Sequence, residues 1–251
     1  MVHFVGAGSG AEDLITVRGI RLLKEADVVI YAGSLVNPVL PGYAKEGARI
    51  FNSALMTLEQ VTEVMLENRT REIVRLHTGD PSLFGAVREQ MDVLDREQIP
   101  YDVTPGVSSF LAASAALRAE YTLPGISQTV ILTRMEGRTP VPERERLSKL
   151  AQHGASMAIF LSASLTEEVQ EALLQGAYLK DTPAAIVFRT GWPEEKLIRC
   201  TVGTLHQSAV REGISKTALI LVGDFLRREA VPERSCLYDP AFTTGYRKGN
   251  Q

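Results

Sequence analysis

Short apolar runs alternate with longer amphipathic stretches along most of the chain, and the two periods mark the elements. Residues 2–7, 28–31, 49–52, 72–76 and 101–103 are brief apolar-rich runs that predict strands. Between the first two, Leu14, Val17, Ile20, Leu22 and Leu23 recur at helical spacing behind Glu12 and Asp13, whose charges suit a helix start. Residues 57–67 repeat the pattern, with Leu58, Val61, Val64 and Met65 on the inward face. A helix over 84–97 and an Ala- and Ser-rich one over 107–117 follow, while 34–42, with Pro38 and Pro41, predicts a loop or short helix. This alternation predicts a mainly parallel, doubly wound α/β sheet.

Residues 119–124 predict a linker, because the pattern restarts beyond them. A polar, Arg-rich stretch over 134–146 lies among strands at 129–132, 155–161, 184–188, 196–202 and 218–226, with helices at 166–174 and near 205–212. Strands that follow one another without a helix predict a mixed sheet. The expected organisation is thus an N-terminal α/β domain over 1–118 and a C-terminal α/β domain over 125–251. The tail from Ser235 to Arg247 is aromatic and turn-rich, which predicts that it docks.

The 251 residues carry a formal net charge of −3, so no global positive field recruits nucleic acid or an anionic membrane. No apolar run approaches the roughly 20 residues of a membrane span. The N-terminus lacks a basic region and a long apolar core, so no signal peptide is expected. Cys200 and Cys236 stand apart, which fits a reduced, cytoplasmic protein without structural disulfides.

Several chemistries are excluded by spacing. His3, His77, His153 and His206 are dispersed and form no metal-ligand pattern. There is neither a G-x-S-x-G elbow nor a Walker loop. Gly6-Ala7-Gly8-Ser9-Gly10-Ala11 formally fits a dinucleotide fingerprint. That fold also wants an acidic residue ending the second strand, and here the strand ends in Ala32-Gly33-Ser34, with Asp27 preceding it. A nicotinamide dehydrogenase therefore lacks its ribose-binding group.

Two strand-end turns remain, His77-Thr78-Gly79-Asp80-Pro81 and Thr104-Pro105-Gly106-Val107-Ser108-Ser109. Either alone is as well explained as a simple helix start. On neighbouring strands, the two predict one ligand cleft at the carboxyl edge of the sheet. Asp80 is expected there with its carboxylate free for a ligand, and the helix start near Ser108 suits polar ligand groups.

The ordered set VGAGSG, TVRG, HTGDPSLFG and TPGVSSF resembles the tetrapyrrole methylase superfamily, and the similarity extends to TALILVGDF. SLVNPVL and the tail LYDPAFTTGYR are similar to the branch that acts on precorrin-4 at C11 in cobalamin synthesis, with Thr244 departing from a frequent His. The resemblance implies a methyltransferase using S-adenosylmethionine, with S-adenosylhomocysteine as product. It further implies a tetrapyrrole (precorrin) substrate, a trough between two α/β domains and a homodimer. Carried over by motif, the cofactor contacts are Gly79, Asp80, Leu83, Ser108, Ser109, Leu161, Thr217 and Ala218. Because the implied macrocycle carries carboxylates, Arg134, Arg189 and Arg247 become candidate substrate clamps. No base stands out, and neither does a choice between the metal-free and the cobalt-bound ring.

Overall fold

A computed structural model describes residues 1–227 and 235–250. It forms two compact units: Met1–Ala112 with Arg189–Glu195, and Ala113–Phe188 with Lys196–Gln251.

The first unit is built on β1 (Val2–Gly6), β2 (Val28–Tyr31), β3 (Arg49–Asn52), β4 (Ile73–His77) and β5 (Tyr101–Thr104). All pair in parallel, in the order β3-β2-β4-β1-β5. The central β1 and β4 are buried along their whole length, as strands covered on both faces must be. Alternation divides their side chains between two cores. Val2, Phe4, Ile30 and Ile73 pack with Met65 and Leu94 on one face, and Val5, Val29, Val74 and Leu76 with Leu23 and Leu40 on the other.

The helices are α1 (Val17–Glu25), α2 (Leu58–Glu67), α3 (Arg88–Arg96) and α4 (Ser109–Leu117). Thr57 and Gln60 form a reciprocal capping box that starts α2. Two expectations shift. The helix expected from 84 begins only at Arg88, because Phe84 and Ala86 adopt left-handed backbone, with φ of 54° and 48°. The first helix is split: Glu12–Leu14 is one 3-10 turn, and α1 starts beyond Thr16, whose side chain accepts from Gly19 N–H. Val17 consequently faces solvent and Leu58 is partly exposed, so neither is a core residue.

The second unit carries β6 (Val130–Arg134), β7 (Ser156–Phe160), β8 (Pro183–Phe188), β9 (Lys196–Thr201) and β10 (Ala218–Val222), in the order β6-β7-β10-β8-β9. Only the β6–β7 pair is parallel, so the sheet is mixed. Its core gathers Met157, Ile159, Val169, Leu173, Ile186 and Ile220 with residues of α5 (Leu147–Leu150), α6 (Thr166–Leu174) and α7 (Leu205–Arg211). The expected strand over 218–226 is shorter, and Asp224–Leu226 turns as a 3-10 helix. In the tail, Leu237, Tyr238, Phe242 and Tyr246 are exposed, and the Arg247 guanidinium bonds to carbonyls of the same segment. Among the described residues, no helix is long and apolar enough to cross a membrane.

Candidate functional site

Three neighbouring strands, β4, β1 and β5, end at the same edge of the first sheet, where Gly6 lies opposite His77 and Val5 opposite Thr104. Beyond β4 the chain turns at Gly79, whose φ of +60° favours a residue without a Cβ. Gly79 N–H donates to the Gly8 carbonyl at 2.7 Å, and Gly8 N–H returns a bond to the Gly79 carbonyl at 3.3 Å. Gly106, after β5, closes the group. A Cβ there would lie 2.1 Å from the Gly79 carbonyl oxygen and 2.7 Å from Gly6 Cα. Backbone therefore packs directly on backbone at three strand ends.

Asp80 locks the arrangement. One carboxylate oxygen accepts from the Ser82 N–H at 2.8 Å and from the Ser82 hydroxyl, and the other from Gly106 N–H at 2.8 Å. The expectation of a carboxylate free for a ligand is therefore corrected, since both oxygens are engaged within the protein. Partial burial pushes its pKa upward, but the bonds from Ser82 and Gly106 outweigh it and leave the group below its ordinary range. A Cβ on Gly79 would stand 3.5 Å from Ser108 Cα and 3.6 Å from Ser109 N. The turn of Gly79, Asp80 and Leu83 and the start of α4 at Ser108 and Ser109 thus come together. Gly6 and Gly106 were visible as motif letters, but nothing in their spacing revealed the contact between them.

The same geometry argues against a nucleotide cradle after β1. Backbone groups of Gly8 are spent on Gly79, the Gly10 carbonyl accepts from Asn37 Nδ2 at 2.8 Å, and no α-helix begins until Val17. A pyrophosphate site needs free N–H groups at a helix start.

His77 ends β4 with Nε2 buried and unpartnered. Burial first, and the Arg75 cation second, push its pKa down to about 3. An unfolded imidazole takes up a proton below its ordinary 6.5, whereas the folded one stays neutral until about pH 3. Its contribution to stability is therefore complete above 6.5 and is lost as pH falls through that window. His77→Leu should flatten the fall of the thermal midpoint between pH 6.5 and 3, and a profile parallel to wild type would contradict this.

In the second unit, the β7–β10 register ends at the pair of Ile159 with Ile220, two residues short of Leu161 and of Ala218. Leu161 and Thr217 both hold left-handed backbone, with φ of 53° and 55°, a strain often found at ligand sites. Leu161 follows the end of β7, Thr217 and Ala218 stand at the start of β10, and Arg134 lies beside Phe160 in the β6–β7 pair. The Arg134 guanidinium donates to the carbonyls of Met135, Thr139 and Pro140. Arg247 likewise donates to those of Leu237, Asp239 and Phe242. These two side chains organise their own loops. Arg189 belongs to the first unit, where it pairs with Glu194 at 3.3 Å. Among the described residues, no group of three or more His, Cys, Asp or Glu side chains is placed to hold a metal ion.

A parallel sheet with polar turns at its carboxyl edge, and a glycine turn turned inward against a neighbouring strand end, defines a ligand-binding α/β protein outside the dinucleotide-binding folds. Comparison with known proteins carries this further. The sequence model of the Tetrapyrrole (Corrin/Porphyrin) Methylases matches residues 1–206. Cobalt-precorrin-4 C(11)-methyltransferase of Methanocaldococcus jannaschii is 48% identical over 252 residues, covering 100% of this chain and 97% of the relative. A precorrin-4 C(11)-methyltransferase from a Sinorhizobium species is 43% identical, covering 98% of each. Among solved structures, a cobalt precorrin-4 methyltransferase of cobalamin biosynthesis superposes with a TM-score of 0.88 at 46% identity, over 90% of this chain and 95% of that one. Uroporphyrin-III C-methyltransferase from Thermus thermophilus, complexed with S-adenosylhomocysteine, superposes with a TM-score of 0.76 at 26% identity, over 93% and 96%. The chain belongs to the tetrapyrrole methylases.

Proposed function

We propose that this chain transfers a methyl group from S-adenosylmethionine to C11 of precorrin-4, as a step of cobalamin synthesis. The observation that carries the reading is similarity along the whole chain to enzymes named for that reaction. The cobalt-bound ring is favoured as substrate, because the relatives named for it reach 48% and 47% identity, against 43% for the metal-free enzyme.

The strand-end turns fit the cofactor. Gly79, Ser108 and Ser109 bring small side chains and backbone together at van der Waals spacing. Leu83 adds a half-buried apolar side chain. By motif alone, Leu161, Thr217 and Ala218 are assigned to the cofactor as well. When bound, S-adenosylmethionine supplies an electrophilic methyl on a sulfonium whose thioether departs neutral, so no acid is required. The protein's task is then to hold the ring carbon in line and to exclude water. Asp80 serves by fixing the two turns relative to each other. A homodimer is part of the same reading, and light scattering on the purified chain tests it.

Calorimetry should show binding of S-adenosylhomocysteine and none of NADH. Incubation with S-adenosylmethionine should then add one methyl group to cobalt-precorrin-4, faster than to precorrin-4, as read by mass spectrometry. Transfer to neither ring would refute the substrate assignment, and NADH binding would refute the cofactor.

A further inference from the structure

The segment Arg189–Glu195, between β8 and β9 in sequence, packs over the Gly-rich turn that follows β1. Contact is close. A Cβ on Gly10 would lie 2.4 Å from Trp192 Cδ1 and 2.7 Å from the Thr190 carbonyl, and one on Gly191 would lie 3.0 Å from Ala11 N. Within the segment, Gly191 N–H donates to Glu195 Oε2 at 2.8 Å, Trp192 N–H to the Arg189 carbonyl at 2.9 Å, and Glu195 N–H to the Trp192 carbonyl at 3.0 Å. The Arg189 guanidinium lies 5.8 Å from the Trp192 ring and pairs with Glu194. Such a self-bonded turn can move as one body, and its first residue, Arg189, sits at a left-handed φ of 48°.

The contact seals two hydroxyls that find no partner. Ser9 Oγ, on the Gly-rich turn, and Thr190 Oγ1, on the segment above it, are both buried and unbonded. Each residue is only 7% exposed. Buried polar groups left unpaired work against the closed arrangement. Ser9 Oγ would be 3.4 Å from a Cβ on Gly191, the residue that follows Thr190, so the two hydroxyl-bearing residues stand on the two sides of one contact.

We propose that residues 189–195 are a strap that lifts off the Gly-rich turn, and that the Ser9 and Thr190 hydroxyls then donate to one carboxylate of the tetrapyrrole. This rests on the tetrapyrrole reading above and adds where one rim carboxylate is held. Two O–H donors suit an anion that offers two acceptor oxygens. Trp192, the single tryptophan, holds the strap down against Gly10.

The test uses the full chain and uroporphyrin III, a stable tetrapyrrole with a carboxylate rim, followed by its absorbance. Ser9→Ala and Thr190→Val should each weaken binding about tenfold or more, the effect of losing a hydrogen bond to a charged group. Thr190→Ser keeps the hydroxyl and should bind as wild type, and all variants should hold S-adenosylhomocysteine equally. Trp192→Ala should speed uroporphyrin III association several-fold in stopped flow. The proposal is overturned if Ser9→Ala and Thr190→Val bind as wild type does, if Thr190→Ser fails as Thr190→Val does, or if Trp192→Ala brings no acceleration. It is also overturned if wild type does not bind the porphyrin. The two readings fail separately. Expected porphyrin binding without methylation of either precorrin removes the substrate assignment alone, whereas methylation with unchanged KM in the hydroxyl variants removes the strap alone.

Discussion

Gly106→Ala is expected to abolish measurable S-adenosylhomocysteine binding and to lower the thermal midpoint by on the order of 10 °C. The added methyl would stand 2.1 Å from the Gly79 carbonyl oxygen, 2.7 Å from Gly6 Cα and 2.8 Å from the Gly6 carbonyl carbon. All three are backbone atoms, so no rotamer change relieves the clash and the strand ends must part. Overpacking at such a point costs about 3 kcal/mol, the upper end of the usual range. Separation would also break the bond from Gly106 N–H to Asp80 and disturb the Gly8–Gly79 pair. Calorimetry and thermal unfolding measure the two effects. A variant that melts like wild type would show that the three backbones are less tightly engaged than these distances require.

Asp80→Ala should reduce S-adenosylhomocysteine affinity at least about tenfold, with a smaller effect on melting than Gly106→Ala. The alanine variant loses the acceptors for Ser82 N–H, the Ser82 hydroxyl and Gly106 N–H. The two bonds from Ser82 are exposed, so water replaces the lost acceptor there and their net cost is small, while the part-buried bond from Gly106 contributes about 1.5–3 kcal/mol. The one to Gly106 matters most for binding, because it ties the turn after β4 to the turn after β5. Asp80→Asn retains one acceptor oxygen and replaces the other with an N–H donor, so it should fall between alanine and wild type. Measured affinity series would separate this latch from a direct ligand contact. If the three proteins bind equally, Asp80 has no part in forming the site.

Much of the architecture was legible because its causes are local. The apolar runs at β1, β2, β3, β4 and β5 and the helical spacing of α2 and α6 follow from the period of side chains along the backbone. Thr57 and Gln60 cap α2 where that spacing begins. Where expectation and structure part, the cause is a conformation that residue type does not announce. Phe84 and Ala86 are ordinary residues held at positive φ, and they delay α3 to Arg88. In the tail, what residue type does not announce is that Arg247 gathers the carbonyls of Leu237 and Asp239 from its own segment.

The candidate site divides along the same line. By itself the sequence determined the alternating α/β plan, the two turns at strand ends and the motifs that mark the family. Tertiary structure alone decided that Asp80 spends its carboxylate on a turn 26 positions away, that Gly6, Gly79 and Gly106 meet backbone to backbone, and that Trp192 closes over Gly10. Periodicity reports which face of an element is buried, because burial repeats with the geometry of the chain. It does not report which atoms from distant segments share that interior, because those partners are chosen by packing and by the demand that each buried polar group find a bond.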